Sequence, residues 1–323
     1  MEIEGLRARR EDRRRELRRR RTFAMGALLL VLLALLLAAL TAGSGGGKAR
    51  PARASHASKA GKHAAGGHSA TATGAGAPAL LGHPGTDAVP ILMYHVIAPP
   101  PAGAPFPGLY VPPQEFAEQM QALKQAGWHA VTPDQVQAYW RRGVSLGAGK
   151  PIVLSFDNGY QSQYTQALPV LQRLGWVAEE NIQLAGLPPS QGGLLQSQIR
   201  GMVAAGWELD TQGYDHADLI TLDAAQLHYQ VARTREVIQQ RFHVPVNWFC
   251  YPSGHYDATV VAAVKAAGYS GSTTVVPGWA HRNDDPYRLH RLRVLGGTSA
   301  PQLLSELAAV RADPPAPETY TGA

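Results

Sequence analysis

The chain has 323 residues, with 30 Lys and Arg against 24 Asp and Glu and a single cysteine. This length fits one large domain or two small ones, and the lone thiol excludes an internal disulfide. Its formal charge of +6 is uneven: Met1–Arg21 holds 10 Arg against 5 acids, and residues 43–86 add five cations and no acid. From Asp87 onward 15 basic residues face 19 acidic ones, so the folded part lacks the net basic charge expected of a nucleic-acid-binding domain.

Residues 1–22 read as an Arg-rich cytoplasmic tail, and residues 23–42 as a transmembrane anchor. Phe23–Ala42 is apolar without a charge or proline, and 20 helical residues span about 30 Å, the hydrocarbon thickness. The arginines crowding its N-terminal side predict that the rest of the chain faces outward. A cleavable signal peptide with a small-residue site around Thr41–Gly43 is the rival reading, and Arg20-Arg21-Thr22-Phe23 resembles a twin-arginine signal. Residues 43–87, rich in Gly, Ala, Ser and His, read as a flexible linker, with His56, His63 and His68 as polar spacer rather than a metal tract. Residues 88–310 form the folded domain and 311–323 a disordered tail.

Within that domain, short apolar runs predict buried strands at Pro90–His95, Pro151–Phe156, Val177–Leu184, Trp207–Thr211, Val246–Tyr251, Gly268–Thr273 and Arg291–Leu295. Helical spacing marks Pro113–Ala126, Tyr164–Leu174, Ser197–Ala205, Asp223–Phe242 and Asp257–Ala267. Gly127, Gly175, Gly206 and Gly268 follow helical stretches, where a left-handed C-cap is expected. Strands alternating with helices imply a parallel α/β sheet, and their number favours a barrel. Chemistry is then expected on the loops after the strand C-termini, at Met93–His95, Phe156–Tyr160, Gln212–Asp218 and Tyr251–Gly254. Cys250 reads as a small buried residue beside a strand.

These segments carry ordered motifs: VPILMYHVI, PIVLSFDNGY, GWELDTQGYDHADL, WFCYPSGHYD and DPYRLHRLRV. Together, from about Val89 to Leu307, they resemble the polysaccharide deacetylases (the NodB-homology domain, carbohydrate esterase family 4). The resemblance implies a distorted (β/α) barrel and hydrolysis of N-acetyl groups on amino-sugar polymers. It also implies a divalent metal that activates water and polarises the carbonyl. Cell-envelope glycan, peptidoglycan or another amino-sugar polymer, is then the expected partner.

On that resemblance Asp157 corresponds to the catalytic base and Ser253 to the residue whose backbone N–H receives the oxyanion. Of the three metal-ligand positions His216 retains its residue, while Asn158 and Gln212 stand where the family has Asp and His. A site of Asn, Gln and His has no anionic ligand, and amides are poor ligands for zinc. Metal binding is therefore expected to be weak or absent, with Asn158 and Gln212 bonded to each other in the metal's place. Cys250 occupies the position of an arginine that holds the base in much of the family. No residue after Val294 matches the family's late general-acid histidine; His281 and His290 are candidates by chemistry only.

Asp157 could instead cap its turn, and His216 could pack or cap. His95, Tyr160, Tyr214 and Tyr251 are candidate substrate contacts, as are Tyr94 and Trp248, against the alternative of core packing. Asp215 could join Asp157 and His216 in a displaced metal site. Three functions stay open: a de-N-acetylase, a glycan-binding protein that has lost catalysis, and a structural envelope protein.

Overall fold

The structure, a computed structural model, describes residues 79–187, 192–309 and 314–322. The tail and apolar span expected at 1–42 lie outside the described residues, as does most of the linker. No helix among the described residues is long and apolar enough to cross a membrane.

The strands are β1 (Val89–Tyr94), β2 (Trp128–Val131), β3 (Lys150–Asn158), β4 (Glu179–Ile182), β5 (Glu208–Thr211), β6 (Trp248–Cys250), β7 (Gly271–Thr273), β8 (Trp279–Ala280) and β9 (Leu292–Arg293). Their hydrogen-bonded order is β7-β6-β5-β4-β3-β1-β8, with β2 also paired to β3 and β9 to β1. All pairings are parallel except β1 with β8. Leu289 bridges Thr273 at the end of β7, and Leu292 pairs with Leu92 of β1. One short stretch of chain thus spans the open side of a curved α/β half-barrel. Each of the seven anticipated strand segments contains a strand.

The strands β2 and β8 and two helices lie outside the segments anticipated from the sequence. The helix Pro133–Arg142 follows β2 directly, opened by a capping box between Thr132 and Gln135 and closed by Gly143 at φ 67°. A last helix, Ala300–Ala309, packs Leu303 and Leu307 into the main core. The boundaries drawn around the domain also shift. Residues counted as linker are docked: Leu81 N–H donates to Gly143 O at 2.8 Å, and Tyr139 Oη donates to Asp87 Oδ2 at 2.7 Å. The expected disordered tail is tied down over 314–322, where Tyr320 and Tyr256 exchange two backbone hydrogen bonds of 2.9 Å. Paired backbone groups and a Tyr256–Tyr320 ring stack repay the ordering cost that composition alone suggested would go unmet.

Alternation along the strands divides the core. Leu92 and Tyr94 of β1 and Leu154 and Phe156 of β3 face the helix layer, against Phe116, Met120 and Trp207. On the other face, Val89, Ile91, Val153, Trp248 and Leu289 form an apolar cluster. Further along the strands that face turns polar. Ser155, Glu179 and Glu208 lie in register on β3, β4 and β5, followed by Asp157, Asn181 and Asp210.

Candidate functional site

Asp157, one residue from the end of β3, is 1 % exposed, and so is Arg291. The guanidinium grips the carboxylate with two parallel bonds, Nη1 to Oδ1 at 2.8 Å and Nη2 to Oδ2 at 2.9 Å. It also donates to Thr274 O at 2.8 Å, Ser155 Oγ at 3.0 Å and Cys250 Sγ at 3.2 Å. Asn181 Nδ2 adds a bond to Asp157 Oδ1 at 3.2 Å, and the Cys250 thiol one to Oδ2 at 3.5 Å. Burial pushes the Asp157 carboxyl up, but the charge and hydrogen bonds of Arg291 outweigh it and hold it below the usual carboxylate range.

Arg291 is the functional residue that the motif comparison missed. With Cys250 in the arginine's place, the base had no expected partner. The cation comes instead from the DPYRLHRLRV stretch, which spans the gap beside β1. The usable signal was that three arginines crowd that stretch, of which only Arg291 is buried.

Asp157, Asn158, Gln212 and His216 line one cleft of about 510 Å³, together with His95, Tyr160, Tyr251 and Ser253. Of the four non-glycine residues with positive φ among those described, three are in this cleft: Asn158 at 80°, His216 at 60° and Ser253 at 56°. Backbone in this sparsely populated region tends to gather at functional sites. The Ser253 turn is closed by Gly254 N–H to Tyr251 O at 2.8 Å and His255 N–H to Pro252 O at 3.1 Å. Neither bond uses the Ser253 N–H, the group expected to meet an oxyanion.

Burial pushes the His95 imidazole down to about 4 against the pull of Asp157, and its Nδ1 has no hydrogen-bond partner. Burial likewise holds His216 below its ordinary value. Both histidines are therefore neutral near pH 7. Glu179 and Glu180, fully buried on β4 next to β3, are both raised by burial. At the rim, Phe106 is 69 % exposed, an aromatic that the sequence reading passed over.

Other candidates lie elsewhere. Tyr214 is not in the cleft lining; its ring packs on Tyr229 with centroids 4.9 Å apart. Tyr94 stacks on Phe156 and donates its hydroxyl to Gln119 Oε1, and Trp248 sits in the apolar cluster with Nε1 on Asp134. Tyr251 is a wall of the cleft rather than a platform, because its hydroxyl donates to Tyr287 O and it is 1 % exposed. Asp215 is outside the cleft lining and accepts from Gln230 Nε2 at 2.6 Å, which separates it from any site shared with Asp157. His281 and His290 flank Asp284, away from the cleft lining, and so cannot deliver a proton there.

The residues at the ligand positions do not fit a divalent metal. Both oxygens of Asp157, the nearest anion, are taken by Arg291. Gln212 and Asn158 are not bonded to each other; Gln212 Nε2 donates to Cys250 Sγ at 3.5 Å. That leaves one imidazole and two neutral amides. Among the described residues no three His, Cys, Asp or Glu side chains are arranged to hold a metal ion.

The α/β half-barrel, with its cleft at the strand ends, sets this chain among the carbohydrate deacetylases by fold. The profile of the polysaccharide deacetylase domain matches residues 145–272. YxkH of Bacillus subtilis, assigned to the polysaccharide deacetylases, is 30% identical over 212 residues, covering 65% of this chain and 73% of that one. The poly-beta-1,6-N-acetyl-D-glucosamine N-deacetylase of Escherichia coli K12 is 41% identical over 61 residues, 19% of this chain and 9% of that one. The Streptococcus pyogenes deacetylase PplD, solved with acetate, superposes with a TM-score of 0.63 at 25% identity, covering 68% of this chain and 98% of that one. The chain belongs to the polysaccharide deacetylase family.

Proposed function

We propose that this protein is anchored in the membrane by Phe23–Ala42, with its family domain outside, and that the cleft takes an N-acetylated amino-sugar polymer of the cell envelope. In this reading it is a glycan-binding member that has given up metal-dependent hydrolysis. The donor set carries the reading: the cleft, the clamped Asp157 and the Ser253 turn are present, while the metal positions hold two neutral amides. The substrate class follows the family and the named activity of the Escherichia coli relative. The apolar span, the arginines before it and the polar linker after it support the location.

The second reading is retained hydrolysis, favoured by an ionised Asp157 in the same cleft as a free Ser253 N–H. Incubating the full-length protein with acetylated chito-oligomers and peptidoglycan, with and without added zinc, separates the two. The proposal expects glycan binding and no acetate. Acetate release that disappears in Asp157→Ala overturns it in favour of the enzyme, and absence of binding to any amino-sugar polymer overturns both.

A further inference from the structure

We infer that Gln212, at a former metal position, has become the residue that reads the N-acetyl group without a metal: its side-chain oxygen accepts the acetamide N–H, and the preference for acetylated over deacetylated glycan depends on it. This rests on the glycan-binding reading above and specifies what is recognised.

The orientation of the Gln212 amide follows from its neighbour. Cys250 is fully buried between Asp157, Arg291 and Gln212. The strongest acceptor beside it is the Asp157 carboxylate, 3.5 Å away, and the S–H donates there. The sulfur lone pairs then face Arg291 Nη2 and Gln212, so the NH₂ end of Gln212 turns to Cys250. Its Oε1 is left as a buried acceptor without a partner, on a residue only 3 % exposed that lines the cleft. Leaving a buried acceptor unmet is unfavourable, and a ligand donor would relieve that cost.

The remaining groups match the rest of an acetamide. The Ser253 N–H is unused by its turn, and the Asn158 amide has no hydrogen bond within the described protein, so donors for a carbonyl oxygen are present. Met93, Val275 and Leu295 offer apolar surface for a methyl group. A deacetylated sugar presents an ammonium instead: it lacks the carbonyl and the methyl, and must be desolvated. The one carboxylate at hand is already neutralised by Arg291. A site built around a hydrogen-bonded group discriminates strongly against a ligand lacking it, because its own polar atoms are then left unpaired.

The test is isothermal titration of the full-length protein with acetylated chitopentaose and with the fully deacetylated pentamer, each with and without EDTA. The expected result is at least a tenfold preference for the acetylated pentamer, unchanged by EDTA. Gln212→Leu should erase that preference while the thermal melt stays cooperative. Gln212→Glu, which supplies an anion, should shift it toward the amine. Equal binding of the two pentamers, a preference that EDTA abolishes, or a preference that survives Gln212→Leu overturns this inference while leaving glycan binding intact. Failure of both pentamers to bind overturns the glycan-binding reading as well.

Discussion

Replacing Arg291 with methionine tests the centre of the site without assuming any activity. The side chain makes five hydrogen bonds and is the partner of a carboxylate 1 % exposed. Methionine keeps much of the apolar stem but leaves Asp157 a buried, unpaired charge and Thr274 O without this donor. Breaking a buried pair from one side costs about 3–5 kcal/mol, and the neighbouring Glu179 and Glu180 leave little scope for a smaller value. With Arg291 in place, the folded-state value of Asp157 lies below its unfolded one. The pair's stabilisation is therefore present above the unfolded value and lost as pH falls through the folded one. Without Arg291 only the longer bonds from Asn181 and Cys250 oppose burial; the folded value should then move above the unfolded one, and ionised Asp157 costs stability. The deficit of the variant should therefore grow as pH rises from about 3 to 7. Urea denaturation at several pH values reads it as a fall in midpoint at unchanged slope. The double variant Asp157→Asn with Arg291→Met should be more stable at pH 7 than Arg291→Met alone, because the unpaired charge is gone. A loss below about 1 kcal/mol at pH 7, or single-site losses that simply add in the double variant, would refute the clamp as the organising contact.

Three other outcomes follow from the same structure. Burial raises Glu179 to about 7, with Asp157 adding to the rise and Arg291 opposing it. The unfolded state then releases this proton first, so stability from Glu179 falls as pH rises from about 4.5 to about 7. Glu179→Gln should remove that loss, stabilising the protein by up to about 3 kcal/mol at pH 8 and hardly at all at pH 4, as read by thermal melts. Gly254→Ala places a Cβ against the Val275 side chain at φ 76°; overpacking of this kind costs about 1–3 kcal/mol, and chemical-shift changes should centre on the Ser253 turn. Thr132→Ala removes one half of a capping box and should cost about 1 kcal/mol; no loss in the urea midpoint would argue that the helix Pro133–Arg142 is held by packing alone.

Much of the strand framework was legible because β1, β3 and β6 are short apolar runs that must be buried, while β4 and β5, whose buried residues are largely acidic or polar, were marked by the apolar residues that flank them. The helix Pro133–Arg142 was not, although Thr132, Pro133 and Gln135 announce it, because it follows β2 with no intervening turn signal. The site was legible in part. Asp157, Asn158, Gln212 and His216 stand at strand ends in ordered motifs, and strand ends of such a barrel share one mouth. Tyr214 was misjudged for a physical reason: two residues after Gln212 the chain has left the strand, and alternation no longer says which way a ring points.

From its residues alone the protein is an α/β chain with a family-like order of motifs, an apolar span before it, and amides where charged or imidazole ligands would serve a metal. Those are matters of local chemistry and period, which the sequence carries in full. The partner of Asp157 was decided only by tertiary structure. Arg291 is 134 positions away and reaches the carboxylate because the stretch 289–293 spans from β7 to β1 beside β3. Which way Gln212 turns was decided there too, since the thiol of Cys250, not the amide of Asn158, is the group packed against it. Long-range closure of the sheet sets both, and no local pattern encodes which distant side chain closure will bring to a buried charge.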